Sequence, residues 1–245
     1  MKKVFSRPIS MRDVPTHYCS GCGHGIGHRL VAEVIDELNL REKTVGIAPV
    51  GCAVLAYDYW NFDVTEAAHG RCPSVAVGIK RVRPDLNVFT YQGDGDLAAI
   101  GTAEIIHAAN RGDRITVIFV NNAVYGMTGG QMAPTTLLDQ KTATTKYGRD
   151  VVTHGFPIKV CELLQGFSGV KYLARFALNK PQRIMAARQG IKKAFEVQLR
   201  QEGFSLVELL SPCPTYWGCS PIEALTVIEE KMISYFPPGE IKNDS

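Results

Sequence analysis

Residues 86–131 read LNVFTYQGDGDLAAIGTAEIIHAANRGDRITVIFVNNAVYGMTGGQ. Val88-Phe89-Thr90-Tyr91 is a β-branched and aromatic run, which predicts a strand ending at Gly93-Asp94-Gly95-Asp96. A helix is predicted next, with Leu97, Ile100, Ala103, Ile106 and the Ala108–Ala109 side towards one face and Arg111-Gly112 as its end. Ile115 to Val120 is almost wholly apolar, as a strand covered on both faces of a parallel sheet is, and it stops at Asn121-Asn122. The stretch is a βαβ unit with polar residues at the carboxyl ends of two strands, where open α/β sheets place their ligands. The fold class expected from it is α/β, a mostly parallel sheet with helices on both faces.

Residue by residue, the unit fits a metal-chelated diphosphate. Gly93 and Gly95 permit a tight turn and close backbone approach to a ligand. The amides that open the following helix favour an anion. The turn lacks the lysine of a P-loop and carries Asp94 and Asp96 instead. A carboxylate beside phosphates needs a cation between them, and Mg²⁺ takes one or two carboxylates together with phosphate oxygens. Asn122 offers a neutral amide oxygen from the next strand end, and a nearby carbonyl can complete the shell. A bare GDG also fits a plain strand–turn–helix in which Asp94 or Asp96 caps the helix.

Outward from this unit, residues 1–18 read as a polar, proline-punctuated arm, followed by the C-x-x-C turn of Cys19 and Cys22. A helix over 26–38 should bury Leu30, Val34 and Leu38, and a strand over 44–50 leads to Gly51-Cys52. Residues 58–69 read as an irregular connection, and 73–82 as a helix. Residues 123–150, rich in Thr and Gly, are too long for a plain connector and predict a functional loop. Further on come a helix over 158–167, a strand over 170–177 and a helix over 181–202, with Pro181 at its start and Gly203 at its end. A strand over 204–210 exits at Ser211-Pro212-Cys213-Pro214, a helix runs over 221–236, and a polar tail closes the chain. No repeat or linker divides it, so a single domain over 1–245 is expected.

The chain has 245 residues, 45% hydrophobic and 21% charged, with a net charge of +3. That composition is of a soluble globular protein, too weakly basic to suggest nucleic acid. No run of eighteen apolar residues suggests a membrane span. Lys2-Lys3 leads into a segment without the apolar core of a signal peptide, so a cytoplasmic protein is expected. Seven cysteines in a reducing compartment point to metal or redox work rather than disulfides. In a parallel sheet Cys52, Asp94, Asn122 and Cys213 all fall at the carboxyl edge. With Cys19 and Cys22, four thiolates could hold zinc or an iron–sulfur cluster, or stay buried and unligated. Cys161 reads as a core residue, and Cys72 and Cys219 have no assigned role. His24 and His28 lie four apart without an acidic partner, which favours a solvated or capping role. His69, before glycine, reads on its own as a residue satisfying a local turn.

GDG, 25 residues, NN and then VYGMTGGQ resembles the thiamine diphosphate signature of the β subunits of the 2-oxoacid:ferredoxin oxidoreductases. The likeness runs from about Tyr18 to Tyr216. It implies a thiamine diphosphate-binding fold, with Mg²⁺ on Asp94, Asn122 and the Val124 carbonyl. It places Gly95, Asp96, Gly126 and Met127 along the diphosphate, and Val50, Gly51, Cys52, Ala53, His69 and Gly93 around the cofactor. CSGCGHG, PVGC and SPCPT match the family's ligands for a [4Fe–4S] cluster, namely Cys19, Cys22, Cys52 and Cys213, with Cys219 as the rival for the fourth.

The activity so implied is oxidative decarboxylation of a 2-oxoacid to acyl-CoA and CO₂ with reduction of ferredoxin. No catalytic residue is assigned here, because the glutamate that activates the cofactor belongs to a pyrimidine domain on an α subunit. With no ferredoxin-type cysteine run in this chain, γ and ferredoxin-like δ subunits are further expected partners. Gly129 stands where some relatives carry lysine, which favours an apolar substrate such as 2-ketoisovalerate and leaves 2-oxoglutarate open. Rival readings are a non-oxidative thiamine diphosphate decarboxylase or synthase subunit and a zinc-stabilised scaffold subunit.

Overall fold

A computed structural model describes residues 6–244. Met1–Phe5, on which the reading of the amino terminus rests, and Ser245 lie outside the described residues. The first elements in chain order are α1 (His24–Glu37), β1 (Thr44–Ala48), α2 (Ala56–Tyr59), β2 (Asp63–Glu66), α3 (Cys72–Val82) and β3 (Asn87–Gly93). A π-helical turn (Asp96–Ile100) leads into α4 (Thr102–Arg111), then β4 (Thr116–Asn121), α5 (Val151–His154), α6 (Val160–Leu164), β5 (Val170–Ala177) and α7 (Pro181–Leu199). The chain ends with β6 (Phe204–Leu210), α8 (Pro214–Trp217), α9 (Pro221–Val227) and β7 (Gly239–Asn243).

The strands form one sheet in the order β2–β1–β3–β4–β6–β5–β7. The first six are parallel and β7 pairs antiparallel with β5. β3, β4 and β6 are buried along nearly their whole length, which is why β4 runs largely apolar without alternation and why the polar residues of β3 and β6 lie buried within the sheet. One apolar cluster joins α1 and α7 to one face, with Leu30, Val34, Phe89, Phe195 and Leu209. A second, with Val77, Leu97, Ile105, Phe119 and Leu206, packs α3, α4 and α6 on the other. From β1 the chain steps outward to β2 and then returns across to β3, so the order reverses between β1 and β3. Open sheets bind ligands at such a switch point.

Three expectations are corrected. Residues 58–69 are not an irregular connection, because β2 lies within them as the sheet's edge. The carboxyl-terminal tail likewise supplies β7. The α4 face is Leu97, Ile105, Ala108 and Ala109, whereas Ile100 is half exposed and Ala103 faces solvent. The π turn is the reason: Gly101 N–H donates to Asp96 O at 3.0 Å, five residues back, and the extra residue shifts the phase of the helix.

Residues 123–150 carry no helix or strand, only a bridge between Tyr125 and Gln131. Buried Arg149 holds this loop. Its guanidinium donates to the carbonyls of Ala133, Pro134, Thr136, His154, Gly155 and Phe156. Arg149→Met keeps much of the volume and removes the donor to the Thr136, His154, Gly155 and Phe156 carbonyls, whereas Ala133 O and Pro134 O keep the N–H groups of Thr136 and Ile158. It is expected to cost at least about 2 kcal/mol. That corresponds to a Tm lower by roughly 4–8 °C for a protein of this size. Thermal melting reads the loss, and limited proteolysis within 133–156 locates it.

Candidate active site

At the carboxyl end of β3 the chain turns through Gly93-Asp94-Gly95, and Asp94 is only 3% exposed. Thr135 Oγ1, from the long loop, donates to Asp94 Oδ2 at 2.7 Å, and Gly95 N–H donates to Oδ1 at 2.9 Å. Burial pushes the Asp94 carboxyl up to about 7, against the opposing pull of Thr135 and of the Gly95, Val124 and Ala123 amides. Donors of hydrogen bonds alone do not offset its desolvation; a cation would. Asn122 follows β4, with its Oδ1 accepting from Val124 N–H at 3.3 Å. Trp217 Nε1 donates to Asn122 O at 3.0 Å. One carboxylate, one amide oxygen and a backbone carbonyl are hard oxygen donors of the kind Mg²⁺ takes.

These groups line a cavity of about 410 Å³ at the switch point. Its wall brings together every residue expected around the cofactor: Val50, Gly51, Cys52 and Ala53 beyond β1, His69 before α3, Gly93 to Asp96, and Asn122, Val124, Gly126 and Met127. Sequence reasoning missed His24, Pro49, Ala99, Ile100, Tyr125 and Thr128 in the same wall. Tyr125 and Thr128 were within reach, since they share the VYGMTGGQ motif. Ala99 and Ile100 arrive through the π turn, and His24 through a packing of α1 that no local pattern announces.

Asp96 is a clamp in this wall. Its Oδ1 accepts from Val50 N–H at 3.1 Å and Gly70 N–H at 3.0 Å, and its Oδ2 from Gln92 Nε2 at 2.7 Å. His69 Nε2 lies 3.7 Å from the same Oδ1, with nearly half its side chain exposed at the mouth. The Asp96 carboxylate is thereby spent on holding the β1 exit and the HGR turn.

A second cavity of about 230 Å³ shares Cys52, Asn122, Gly126 and Met127 with the first. Cys19, Cys22, Cys52 and Cys213 all line it. The C-x-x-C turn is closed by Cys22 N–H to Cys19 O at 3.0 Å and tied to the β6 exit by Gly23 N–H to Pro212 O at 3.2 Å. Ser211 N–H donates to Asn121 O at 2.9 Å, so the β4 and β6 exits are fastened together. A Cβ on Gly126 would stand 3.0 Å from Cys52 Sγ, a tight contact that the thiol would have to yield to, and 3.8 Å from Cys213 Sγ, so glycine keeps the wall between the two cavities thin. Burial pushes the Cys52 and Cys213 thiols up to about 12. Metal binding there would displace thiol protons.

Among the described residues no three His, Cys, Asp or Glu side chains gather about a point that would suit a single metal ion. The four thiols are instead distributed along the wall of the 230 Å³ cavity. Cys219 does not line the cavity, and Cys72 and Cys161 are buried elsewhere.

His24 and His28 do not take the solvated or capping role expected of them. Both are buried among Tyr18, Tyr59, Trp60 and Tyr91, with His28 Nε2 2.8 Å from Tyr18 Oη and His24 Nδ1 3.2 Å from Tyr91 Oη. Burial lowers the His24 imidazole to about 4, so the ring is neutral. A larger cavity, about 720 Å³, lies between residues 137–141 and the last helices and holds none of the predicted residues.

Ketoisovalerate oxidoreductase subunit VorA of Methanothermobacter thermautotrophicus is 47% identical over 254 residues, covering 100% of this chain and 53% of that protein. 2-Oxoglutarate synthase subunit KorB of Archaeoglobus fulgidus is 36% identical, covering 94% of this chain and 82% of that protein. The fold matches a 2-oxoglutarate:ferredoxin oxidoreductase from Magnetococcus marinus, solved with 2-oxoglutarate, coenzyme A and succinyl-CoA bound. The TM-score is 0.81 at 25% identity, over 99% of this chain and 86% of that one. Residues 49–209 match the thiamine pyrophosphate enzyme family model, C-terminal TPP binding domain. The chain belongs to the thiamine pyrophosphate-binding subunits of the 2-oxoacid:ferredoxin oxidoreductases. The part that matches the family's binding domain contains the GDG turn, the paired asparagines and Cys52, whereas Cys19, Cys22 and Cys213 lie outside it. The chain spans about half the length of the VorA proteins it matches. No described helix is long and apolar enough to cross a membrane.

Proposed function

We propose that this chain, as one diphosphate-binding domain, carries thiamine diphosphate, Mg²⁺ and a [4Fe–4S] cluster in a 2-oxoacid:ferredoxin oxidoreductase. The net reaction is 2-oxoacid, coenzyme A and two oxidised ferredoxins to acyl-CoA, CO₂, a proton and two reduced ferredoxins. The observation that carries this reading is the wall shared by the two cavities, which sets four thiols next to the acidic turn. Thiamine diphosphate, when bound, supplies the electron sink for decarboxylation, and the cluster accepts electrons one at a time.

The chain's own residues bind and orient. Asp94, Asn122 and the Val124 carbonyl hold Mg²⁺, and Gly95, the Asp96 backbone, Gly126 and Met127 face the diphosphate. Val50, Gly51 and Ala53 shape the cavity towards the thiazolium, and His69 stands at its mouth. Cys19, Cys22, Cys52 and Cys213 hold the cluster. Ile100 and Met127 are each about half exposed, so the mouth offers an apolar rim to a partner. That partner is an α subunit whose pyrimidine domain brings the activating glutamate, with γ and δ subunits carrying electrons to ferredoxin.

The substrate favoured is a 2-oxoacid with an apolar side chain, of the 2-ketoisovalerate kind. VorA is the nearer of the two relatives described, and Gly129 offers no cation to a distal carboxylate. Gly129 also adopts φ +115, which favours glycine on backbone grounds alone. The KorB likeness supports 2-oxoglutarate as the second reading.

Anaerobic co-purification tests the whole. Expected are brown protein, about four irons per chain from this subunit's cluster, bound thiamine diphosphate and a co-eluting partner subunit, with acyl-CoA formed faster from 2-ketoisovalerate than from 2-oxoglutarate. Colourless protein at full thiamine occupancy selects a non-oxidative decarboxylase or synthase subunit. Stoichiometric zinc without thiamine diphosphate selects the scaffold.

A further inference from the structure

A second feature sits directly behind the paired asparagines. Glu208, on β6, and Arg175, on β5, are both fully buried in the sheet, side by side in register. Arg175 Nε donates to Glu208 Oε2 at 2.7 Å, and its two Nη groups donate to the Glu162 carboxylate at 2.9 and 2.6 Å. Cys161 Sγ–H donates to the same Glu208 oxygen at 3.3 Å. The other oxygen, Oε1, accepts from Asn121 Nδ2 at 2.7 Å. Burying such a pair is weak ground for stability, because desolvation costs as much as attraction returns. A different use is visible in what Glu208 does to Asn121.

A carboxylate only accepts, so Glu208 fixes which way the Asn121 amide points. The Asn121 oxygen must then face the turn, where it accepts from Ala123 N–H at 3.2 Å. Ala123 is not glycine, yet it holds φ +57, a conformation that needs outside support. Its carbonyl is held in turn by Thr136 Oγ1 at 2.7 Å and Gln140 Nε2 at 3.1 Å. Asn122 and Val124 flank this one strained residue, and their aim depends on it.

We propose that Glu208, through Asn121, is a positioning residue for the Mg²⁺–diphosphate site: it locks the Ala123 bend that aims Asn122 Oδ1 and the Val124 carbonyl into the cavity. This rests on the reading of Asp94, Asn122 and Val124 as the cation's holders. Outer partners that orient metal-holding groups are worth about 10- to 100-fold in metal affinity, and that is the size expected here.

The test is calorimetric titration of Mg²⁺ into the holo complex after removal of Mg²⁺ and thiamine diphosphate, with thiamine diphosphate then restored to saturation. Asn121→Asp sets two carboxylates face to face. It is expected to raise the Mg²⁺ dissociation constant by about 10- to 100-fold while leaving cluster absorbance unchanged. The exchanged pair, Asn121→Asp with Glu208→Gln, swaps donor and acceptor. The new amide can give its N–H to position 121 and accept from Arg175, while the new carboxylate still accepts from Ala123 N–H. Mg²⁺ affinity should return to within about threefold of the parent, a recovery that a general loss of packing would not show.

Should Asn121→Asp fail to fold, Asn121→Ala gives the same reading, since it removes the link without adding charge. Parent-like Mg²⁺ affinity in the single variants, or no recovery in the exchanged pair, overturns the inference. A parent complex that binds no Mg²⁺ overturns the site assignment itself and this inference with it.

Discussion

Asp94→Asn is expected to abolish Mg²⁺-dependent thiamine diphosphate binding and to leave the iron content of the protein unchanged. The substitution is nearly isosteric: the amide oxygen can keep the Gly95 N–H, and the amide N–H can donate to Thr135 Oγ1, whose hydroxyl turns from donor to acceptor, so the turn can keep its shape. What it removes is the carboxylate that is not already tied down by the backbone amides of the β1 exit and the HGR turn, as Asp96 is, and burial already pushes that carboxyl up to about 7. A cation held by one carboxylate, one amide and one carbonyl loses its only charged protein partner. The affinity should fall by more than about 100-fold, beyond the usual cost of losing an outer partner. The fold should not suffer with it. An unpaired buried carboxylate destabilises the metal-free state, so the amide is expected to melt at the parent's temperature or above it. Equilibrium dialysis of thiamine diphosphate with and without Mg²⁺, beside thermal melts of the stripped protein, checks both halves. Mg²⁺-dependent binding retained within tenfold would move the cation away from the GDG turn. Asp94→Ala should show the same loss of binding with some loss of stability from the space it opens.

The elements of the site that the sequence disclosed are those whose information is contiguous. β3, the Gly93–Asp96 turn and β4 follow one another within a single βαβ unit, so strand pattern and turn chemistry suffice to put Asp94 and Asn122 at neighbouring strand ends. The phase of the intervening helix was not legible, because the π turn adds a residue that no hydrophobic period marks. β2 and β7 were missed for another reason. Each is a short, largely solvent-facing edge strand, and its extended form is set by pairing with β1 or β5 rather than by its own alternation. Thr135 was hidden as well: it lies 41 residues from Asp94, and only the Arg149-held loop brings its hydroxyl there. His24 and His28 looked like polar residues at a helix start. Their burial depends on Tyr91 and Trp60, which arrive from other parts of the chain. The cysteines fall between these cases, since a parallel sheet predicts that Cys52 and Cys213 share an edge but says nothing of how near the C-x-x-C turn will come. The Gly23-to-Pro212 hydrogen bond makes that approach, between residues 189 positions apart by number.

Cys213→Ser against Cys219→Ser decides the fourth sulfur. The two residues are close in sequence, yet α8 separates them, and they face different surroundings. Cys213 is 7% exposed and lines the 230 Å³ cavity with the other three thiols. Cys219 sits beyond the left-handed Gly218 that ends α8, its N–H donating to Pro214 O at 3.1 Å, outside that wall. Serine oxygen is a harder and much less acidic ligand than cysteine sulfur, so it holds iron poorly in a site built for thiolate. Cys213→Ser is therefore expected to purify colourless, with iron reduced from about four per chain to well under one for this subunit. Cys219→Ser is expected to remain brown. Mg²⁺-dependent thiamine diphosphate binding should survive in both, because Asp94 and Asn122 are held by Thr135, Trp217 and the β4 turn rather than by any sulfur. Electron transfer to ferredoxin should vanish in Cys213→Ser alone. A full cluster in Cys213→Ser together with loss of colour in Cys219→Ser would require α8 to unwind in the assembled enzyme and carry Cys219 about one helical turn inward. Loss of cofactor binding along with the cluster would mean that Gly126, packed against Cys52 and Cys213, needs the cluster to hold the diphosphate wall in place.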